Sequence, residues 1–263
     1  VARAVAAGVK VLSVTDHDTV AGCAQAAAAC AAAGIEFVPG VEVTSIVDGI
    51  DVHLLGYFID IESEALHAFL ITQRQARIDR LRAIVERLAS HGINLDAEAI
   101  LEPGIADSSR AVGRPWVARA LVEAGHVKDG AEAFDRWLAR GRPAFVPRAG
   151  ARADNVIARI HAAGGIASLA HPLLLRHDEW IPGFVAAGLD ALEAYHTKQD
   201  ATVTAHYIEL AKKLDLALSG GSDYHADDSH GSGGPGSISL PPEAFENLKA
   251  RYLALRPYFG SGR

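Results

Sequence analysis

No methionine occurs in the 263 residues, and there are only two cysteines. Cys23 and Cys30 lie in one alanine-rich stretch of helical character. On a helix rising about 1.5 Å per residue they stand roughly 10 Å apart, too far for a disulfide. That excludes a disulfide scaffold and agrees with a reduced, cytoplasmic setting. No run of about 18 uninterrupted apolar residues is present, which speaks against a membrane span. The chain does not open with the charged, apolar and small-residue parts of a secretory leader. A P-loop is missing, as is a Gly-x-Ser-x-Gly elbow, so the chemistry asks for no nucleophile from the protein. The net charge of −7 argues against broad electrostatic binding to nucleic acid.

What is present is an ordinary globular balance, 49% apolar and 22% charged, enough for one large α/β domain or a domain with an insertion. The charge is uneven. From Arg110 to Arg152 eight Arg and one Lys face four acids, a local +5 that leaves −12 on the remainder. An acidic body with a basic segment suits a metal site that must also hold anions; a helical surface of mixed charge is the competing explanation. The chain enters a helix directly at Val1. Together with the missing methionine, this reads as a fragment whose natural start lies upstream.

A cycle of helix, glycine, strand and polar ending recurs along the chain. Val1–Val9 is helical up to Gly8 and leads into a strand over Lys10–Thr15; Thr19–Ala33 is a second helix closed by Gly34, followed by a strand over Ile35–Val38 that ends at Pro39-Gly40. The cycle predicts parallel strands with helical crossovers. Val41–Val47 and Ile50–Phe58 flank Asp48-Gly49, a two-residue type I′ hairpin signal. That turn pairs Thr44 with His53 and places Glu42 on the same face, a diagonal neighbour of His53 able to share one ion with it.

Residues 61–148 change character and are predicted to form an all-helical insertion between barrel segments 1–60 and 149–263. Its first helix carries Arg74, Arg77, Arg80, Arg82 and Arg87, expected on a solvated face. Arg114 stands before Pro115 at a helix start, where amide groups and a guanidinium suit a phosphate. After Pro147 the cycle resumes with a helix over Asp154–Ala163 and a strand over Ile166–Ala170. His171-Pro172 ends that strand, the proline holding His171 extended. A strand over Leu189–Tyr195 carries Glu193 and ends at His196. The strand Leu216–Ser219 runs into Asp223 and His225, whose i, i+2 spacing puts them on one face of an extended segment. Residues 226–236 read as a polar, glycine-rich mobile loop over the site.

Strand ends therefore collect His17, His171, His196, Asp223 and His225. Carboxyl ends of parallel barrel strands converge on one mouth. Histidines mixed with carboxylates suit zinc, manganese or iron, and with no cysteine among them a structural zinc site is not expected. His67, His91, His126, His161, His177, His206 and His230 lie outside these motifs and read as surface or packing residues.

Thr15-Asp16-His17, Pro39-Gly40-Val41-Glu42, Val52-His53-Leu54-Leu55-Gly56-Tyr57, Ala170-His171-Pro172 and Ser222-Asp223-Tyr224-His225 resemble, in order, the motifs of the polymerase and histidinol phosphatase (PHP) domain family. The order, spacing and helical insertion are most similar to the branch of nucleoside 3′,5′-bisphosphate phosphatases and 5′-3′ exoribonucleases of the RNase AM type. The resemblance implies a distorted (β/α)7 barrel with two or three divalent metals (Mn, Zn or Fe). It implies His17, Glu42, His53, His171, Asp223 and His225 as ligands, with Glu42 bridging two ions. Arg114 and His196 would hold a substrate phosphate, while metal-bound hydroxide attacks phosphorus. Asp16 would orient a ligand histidine, or simply cap the turn, and Asp18 would cap the following helix. The substrate would be a nucleotide or short RNA, with no membrane and no stable protein partner.

The chain also departs from the family. The family's first strand, with its His-x-His and a following Ser-Asp-Gly, has no counterpart here, and Trp116 stands where the family has a histidine. Two alternatives remain open on the residues: a truncated, weakly active or non-catalytic metal-binding remnant, and a metal-dependent amidohydrolase on a similar barrel. The arginines favour phosphate over an amide.

Overall fold

The computed structural model describes residues 1–225 and 233–258. His230 and most of the glycine-rich 226–236 segment lie outside the described residues. The fold is mixed α/β, a curled six-stranded sheet wrapped by helices. Its strands are β1 (Val11–Val14), β2 (Glu36–Val47), β3 (Ile50–Tyr57), β4 (Ile166–Leu169), β5 (Ala191–His196) and β6 (Ala217–Gly221), neighbours in chain order. The β1/β2, β4/β5 and β5/β6 pairs are parallel; β3 is antiparallel to β2, as the hairpin signal predicts, and also to β4, where the expectation of parallel strands fails. A two-residue turn returns the chain beside itself and can only make an antiparallel pair.

The hairpin takes the register that its turn demands. Asp48 and Gly49 both have positive φ, 48° and 74°, as a type I′ turn requires, and Thr44 faces His53. Pro39-Gly40 does not end a strand, because β2 runs through it: Glu36 to Pro39 pair with β1, and Gly40 onward with β3. A Cβ on Gly40 would lie 2.5 Å from Ser13 Oγ and 2.7 Å from Thr15 Cγ2, so crowding explains the glycine.

The crossovers are α2 (Cys23–Ala33), α7 (Ala153–Ala162), α9 (Ile181–Ala186) and α10 (Ala201–Lys213). Gly34 closes α2 in the left-handed conformation, and Asp200 caps α10 by accepting from the amides of Thr202 and Val203. The helix expected from Thr19 begins only at Cys23, with Gly22 before it, so Asp18 is not its cap.

Between β3 and α7 lie α3 (Glu64–Ser90), α4 (Ala97–Ala106), α5 (Arg114–Glu123), α6 (Gly130–Ala133) and a π-helical turn (Phe134–Leu138). The long α3 joins two cores. Its Leu66 and Leu70 pack with Val43, Leu54 and Ile160 under the sheet, whereas Leu81, Ile84, Val85 and Leu88 pack with Leu101, Leu121 and Leu138 among the helices. Between these apolar ends, Gln73, Arg77 and Arg80 fall on one face at i, i+4, i+7 and are buried. The solvated face expected for the α3 arginines is thus wrong for Arg77 and Arg80, which meet the sheet rather than water. No helix among the described residues is long and apolar enough to cross a membrane.

Candidate active site

Glu42 is the hub of the site. It is 4% exposed, placed by β2, and its Oε1 lies 2.6 Å from His53 Nδ1 and 3.4 Å from His171 Nε2, with Oε2 3.6 Å from His17 Nδ1. The diagonal relation read from the hairpin therefore becomes direct contact. His17 leaves the end of β1 and forms a single parallel bridge with Glu42. His225 reaches back to His17, with ring nitrogens 3.4 Å apart. His196 closes the other side, its Nε2 3.6 Å from Asp223 Oδ2 and its ring centroid 5.8 Å from that of His171.

Two local conformations differ from the extended ones expected. His171 has φ 29° and ψ 60°, because its amide turns to donate to Glu193 Oε2 at 2.7 Å while Pro172 starts the short helix α8 (Pro172–Leu175). Asp223 has φ 48°, so the i, i+2 argument for Asp223 and His225 fails. The turn aims Asp223 at His196 and His225 at His17, although Asp223 Oδ1 remains 3.5 Å from His225 Nδ1.

Electrostatics describe a site shaped for cations. Burial works to raise the Glu42 carboxyl, but His17, His53 and His171 hold it well below the usual carboxylate range. Burial pushes His17 down to about 4, against the pull of Glu42. For His171 burial is outweighed by Glu42, Glu193 and Asp223, which lift it to about 9. Among the described residues, His17 Nδ1, His171 Nδ1 and His196 Nε2 are buried ring nitrogens without a hydrogen-bond partner. Donor atoms of His17, Glu42 and His53 all lie within 4.8 Å of one another. Orphaned imidazole nitrogens around a buried carboxylate are what divalent ions would satisfy, so the residues fit the group.

Asp16 stands at the edge of this cluster. A Cβ on Gly22 would lie 2.7 Å from its Oδ2, burial raises its pKa, and His225 is the charge that opposes the rise. Glu193, on sequence grounds only a strand residue, is buried, and burial raises it to about 7. A lone acid inside the apolar run Ala191–His196 was the available signal.

Of a second group, the sequence marks only Arg114. Asp18 is 2% exposed: its Oδ1 accepts the Thr44 amide at 3.1 Å, and its Oδ2 pairs with Arg77 Nε. Arg77 also donates to Thr44 Oγ1 at 2.9 Å, and Gln73 to the Thr44 carbonyl at 2.8 Å. Thr44, which faces His53, is therefore held through all three of its polar groups. Beside this knot Arg77, Arg80, Arg114 and Arg148 line a cavity between helices and sheet. Arg114 does begin α5, behind Gly113, with its guanidinium 3.4 Å from the Leu138 carbonyl and 5.7 Å from the Phe134 ring. Trp116, in the place of the family's histidine, packs against the helical core. Of the histidines outside the motifs, His161, His177 and His206 pair with Asp190, Glu179 and Asp178.

No family model matches the chain. It is 36% identical over 233 residues to a 5′-3′ exoribonuclease of Haemophilus influenzae, covering 85% of this chain and 82% of that protein. It is 33% identical over 261 residues to a 3′,5′-nucleoside bisphosphate phosphatase of Chromobacterium violaceum, covering 95% and 90%. Among solved structures, a protein assigned as a metal-dependent phosphoesterase from Bifidobacterium adolescentis superposes with a TM-score of 0.83 at 28% identity, covering 95% of this chain and 89% of that one. An amidohydrolase from Chromobacterium violaceum, with bound sulfate and no metal, gives 0.82 at 32% identity over the same shares.

Proposed function

Because the chain belongs to the PHP-like family of phosphoesterases that includes these exoribonucleases and bisphosphate phosphatases, we propose that it is a metal-dependent phosphoesterase removing phosphate from nucleoside 3′,5′-bisphosphates or nucleotides from the 5′ ends of short RNA. The observation that carries this reading is the convergence of His17, His53 and His171 on the buried carboxylate of Glu42. We read segments 1–60 and 149–263 as a PHP barrel and 61–148 as its helical insertion.

His17, Glu42, His53, His171, Asp223 and His225 would hold two or three divalent ions, with manganese, zinc or iron matching the donor set. Such ions lower the pKa of a bound water and offset charge on phosphate oxygens. The chain's own residues do the rest. Glu193 fixes the His171 backbone through its amide, and Asp223 faces His196, so the rings are oriented before substrate arrives. Asp16, packed against Gly22 at the end of β1, supports His17 and His225. Arg114 and His196 hold substrate phosphate and stabilise its added charge. The arginine-lined cleft favours an anionic substrate over a neutral amide. The test is Mn²⁺-stimulated phosphate release from adenosine 3′,5′-bisphosphate by the full-length protein. It should be lost in His171→Ala, and undiminished release in that variant would sink the assignment.

A further inference from the structure

A pocket of about 540 Å³, a volume in the range of small-molecule sites, is lined by Pro39, Phe58, Asp60, Gly164, Tyr252 and Arg256. Its aromatic wall is a stacked pair, the rings of Phe58 and Tyr252 lying 4.6 Å apart and 12° from parallel. Tyr252 belongs to α11 (Pro242–Leu255), whose Leu248 packs with Leu55 and Ile166 of the sheet, and Arg256 follows that helix. Phe58 follows β3 at φ 59°, a left-handed conformation that bulky side chains rarely adopt and that persists only where the surroundings impose it. Those surroundings are closely built. A Cβ on Gly165 would lie 2.5 Å from Ile59 Cγ2 and 2.7 Å from the Tyr57 carbonyl oxygen, and the Asp60 amide donates to the Ala163 carbonyl at 2.7 Å. The wall is therefore set before any ligand arrives. Asp60 and Arg256 are both exposed, and among the described residues neither forms an ion pair with the other or with a third group. The Asp60 carboxylate accepts the Glu62 amide at 3.0 Å and keeps its remaining lone pairs.

These groups define a ligand chemistry. A stacked aromatic pair extends by adding a further planar ring. An exposed guanidinium takes a phosphate through paired N–H donors, and a carboxylate accepts from a hydroxyl or an amine. A nucleoside monophosphate carries all three complements. Pro39 stands three residues before Glu42 on β2, about 10 Å along the strand, and Phe58 five residues beyond His53, about 17 Å. The pocket is thus separate from the histidine–glutamate cluster, and no histidine lines it. We propose that it is a second, non-hydrolytic site for a nucleoside monophosphate. The nucleobase stacks on the Phe58–Tyr252 pair, Arg256 holds the phosphate, and Asp60 receives a ribose hydroxyl or an exocyclic amine. The need for a planar ring joined to an anion stands on the pocket alone. The choice of a nucleoside monophosphate among such anions rests on the phosphoesterase reading, whose product it is.

The experiment photolyses full-length protein with 8-azidoadenosine 5′-monophosphate and maps the label residue by residue with mass spectrometry. Label should appear at Phe58 or Tyr252, saturate, and be displaced by adenosine 5′-monophosphate at least about 10-fold better than by adenosine, which lacks the charge-assisted contact. Label confined to the strand-end histidines, or label at Phe58 and Tyr252 that adenosine 5′-monophosphate does not displace, overturns the proposal. Equal displacement by adenosine overturns it too. Arg256→Glu changes an exposed side chain outside the rim and should raise the half-saturating concentration for that label about 10- to 100-fold. Its hydrolysis of adenosine 3′,5′-bisphosphate should stay parent-like. Unchanged saturation overturns the proposal. Tyr252→Leu keeps an apolar contact with Phe58 but removes the ring, and should weaken labelling at Phe58 about 5- to 50-fold; if that variant does not fold, Arg256→Glu decides alone. A parent protein that hydrolyses nothing yet shows Arg256-dependent label at the stacked pair would sink the phosphoesterase reading and leave the pocket standing. Full hydrolysis with no such label would do the reverse.

Discussion

The rim of histidines at the strand ends and the arginine cleft behind it are built from opposite charge and by opposite means. On the rim, one buried carboxylate gathers three imidazoles, and orphaned nitrogens face inward. In the cleft, four guanidiniums crowd two carboxylates. Thr44 is common to both, opposite His53 on one side and bonded to Arg77 on the other.

The sharpest way to break this comparison is to remove the pin between the two regions. Asp18→Asn leaves Arg77 buried without its partner and should cost about 3–5 kcal/mol in urea unfolding. A loss under about 1 kcal/mol would mean that the knot does not hold helices to sheet. Glu42→Gln attacks the rim alone. Its Mn²⁺ affinity by calorimetry should fall at least about 100-fold, while bisphosphate binding in chelator stays within about 3-fold of the parent; a joint loss would show that the regions are not separable.

Glu193 sharpens the rim further. Its folded pKa of about 7 lies above the ordinary 4.5 because it is buried, so between those values the unfolded chain sheds a proton that the folded chain keeps. Stability contributed through this group is present below about pH 4.5 and falls as pH rises through 7. Metal-free Glu193→Gln should flatten that fall, gaining on the order of 2 kcal/mol over the parent near pH 8 by thermal unfolding; a parallel pH profile would remove Glu193 from this role. The smallest effect is expected outside both regions. His206→Ala breaks a half-exposed pair with Asp178 and should change stability by less than about 1 kcal/mol, with activity unaltered.

How much was legible follows from how far apart in sequence the determinants stand. Asp48-Gly49 sets the register of its own hairpin, so the Glu42–His53 contact could be read before any coordinates. Polar residues at the ends of apolar runs marked His17, His171, His196, Asp223 and His225, though not the turned backbones of His171 and Asp223, which depend on Glu193 and His196 from β5. The cleft was largely invisible. Arg77 and Arg80 look like any helical charges, because nothing local says that α3 crosses from one core to another and buries its middle turn. Only Arg114, flagged by Pro115 at a helix start, could be placed.

The sequence by itself determined the strand-end chemistry, the hairpin register and the helical character of residues 61–148, because each depends on neighbours within a few positions. Tertiary structure alone decided that Asp18 is an anchor rather than a cap. It also decided that arginines from α3, α5 and the 148 segment line one cavity, and that Asp51, paired with Arg80 and Arg148, stands one strand step from His53. Those facts depend on where distant segments pack, and burial turns what look like ordinary surface charges into partners for buried carboxylates.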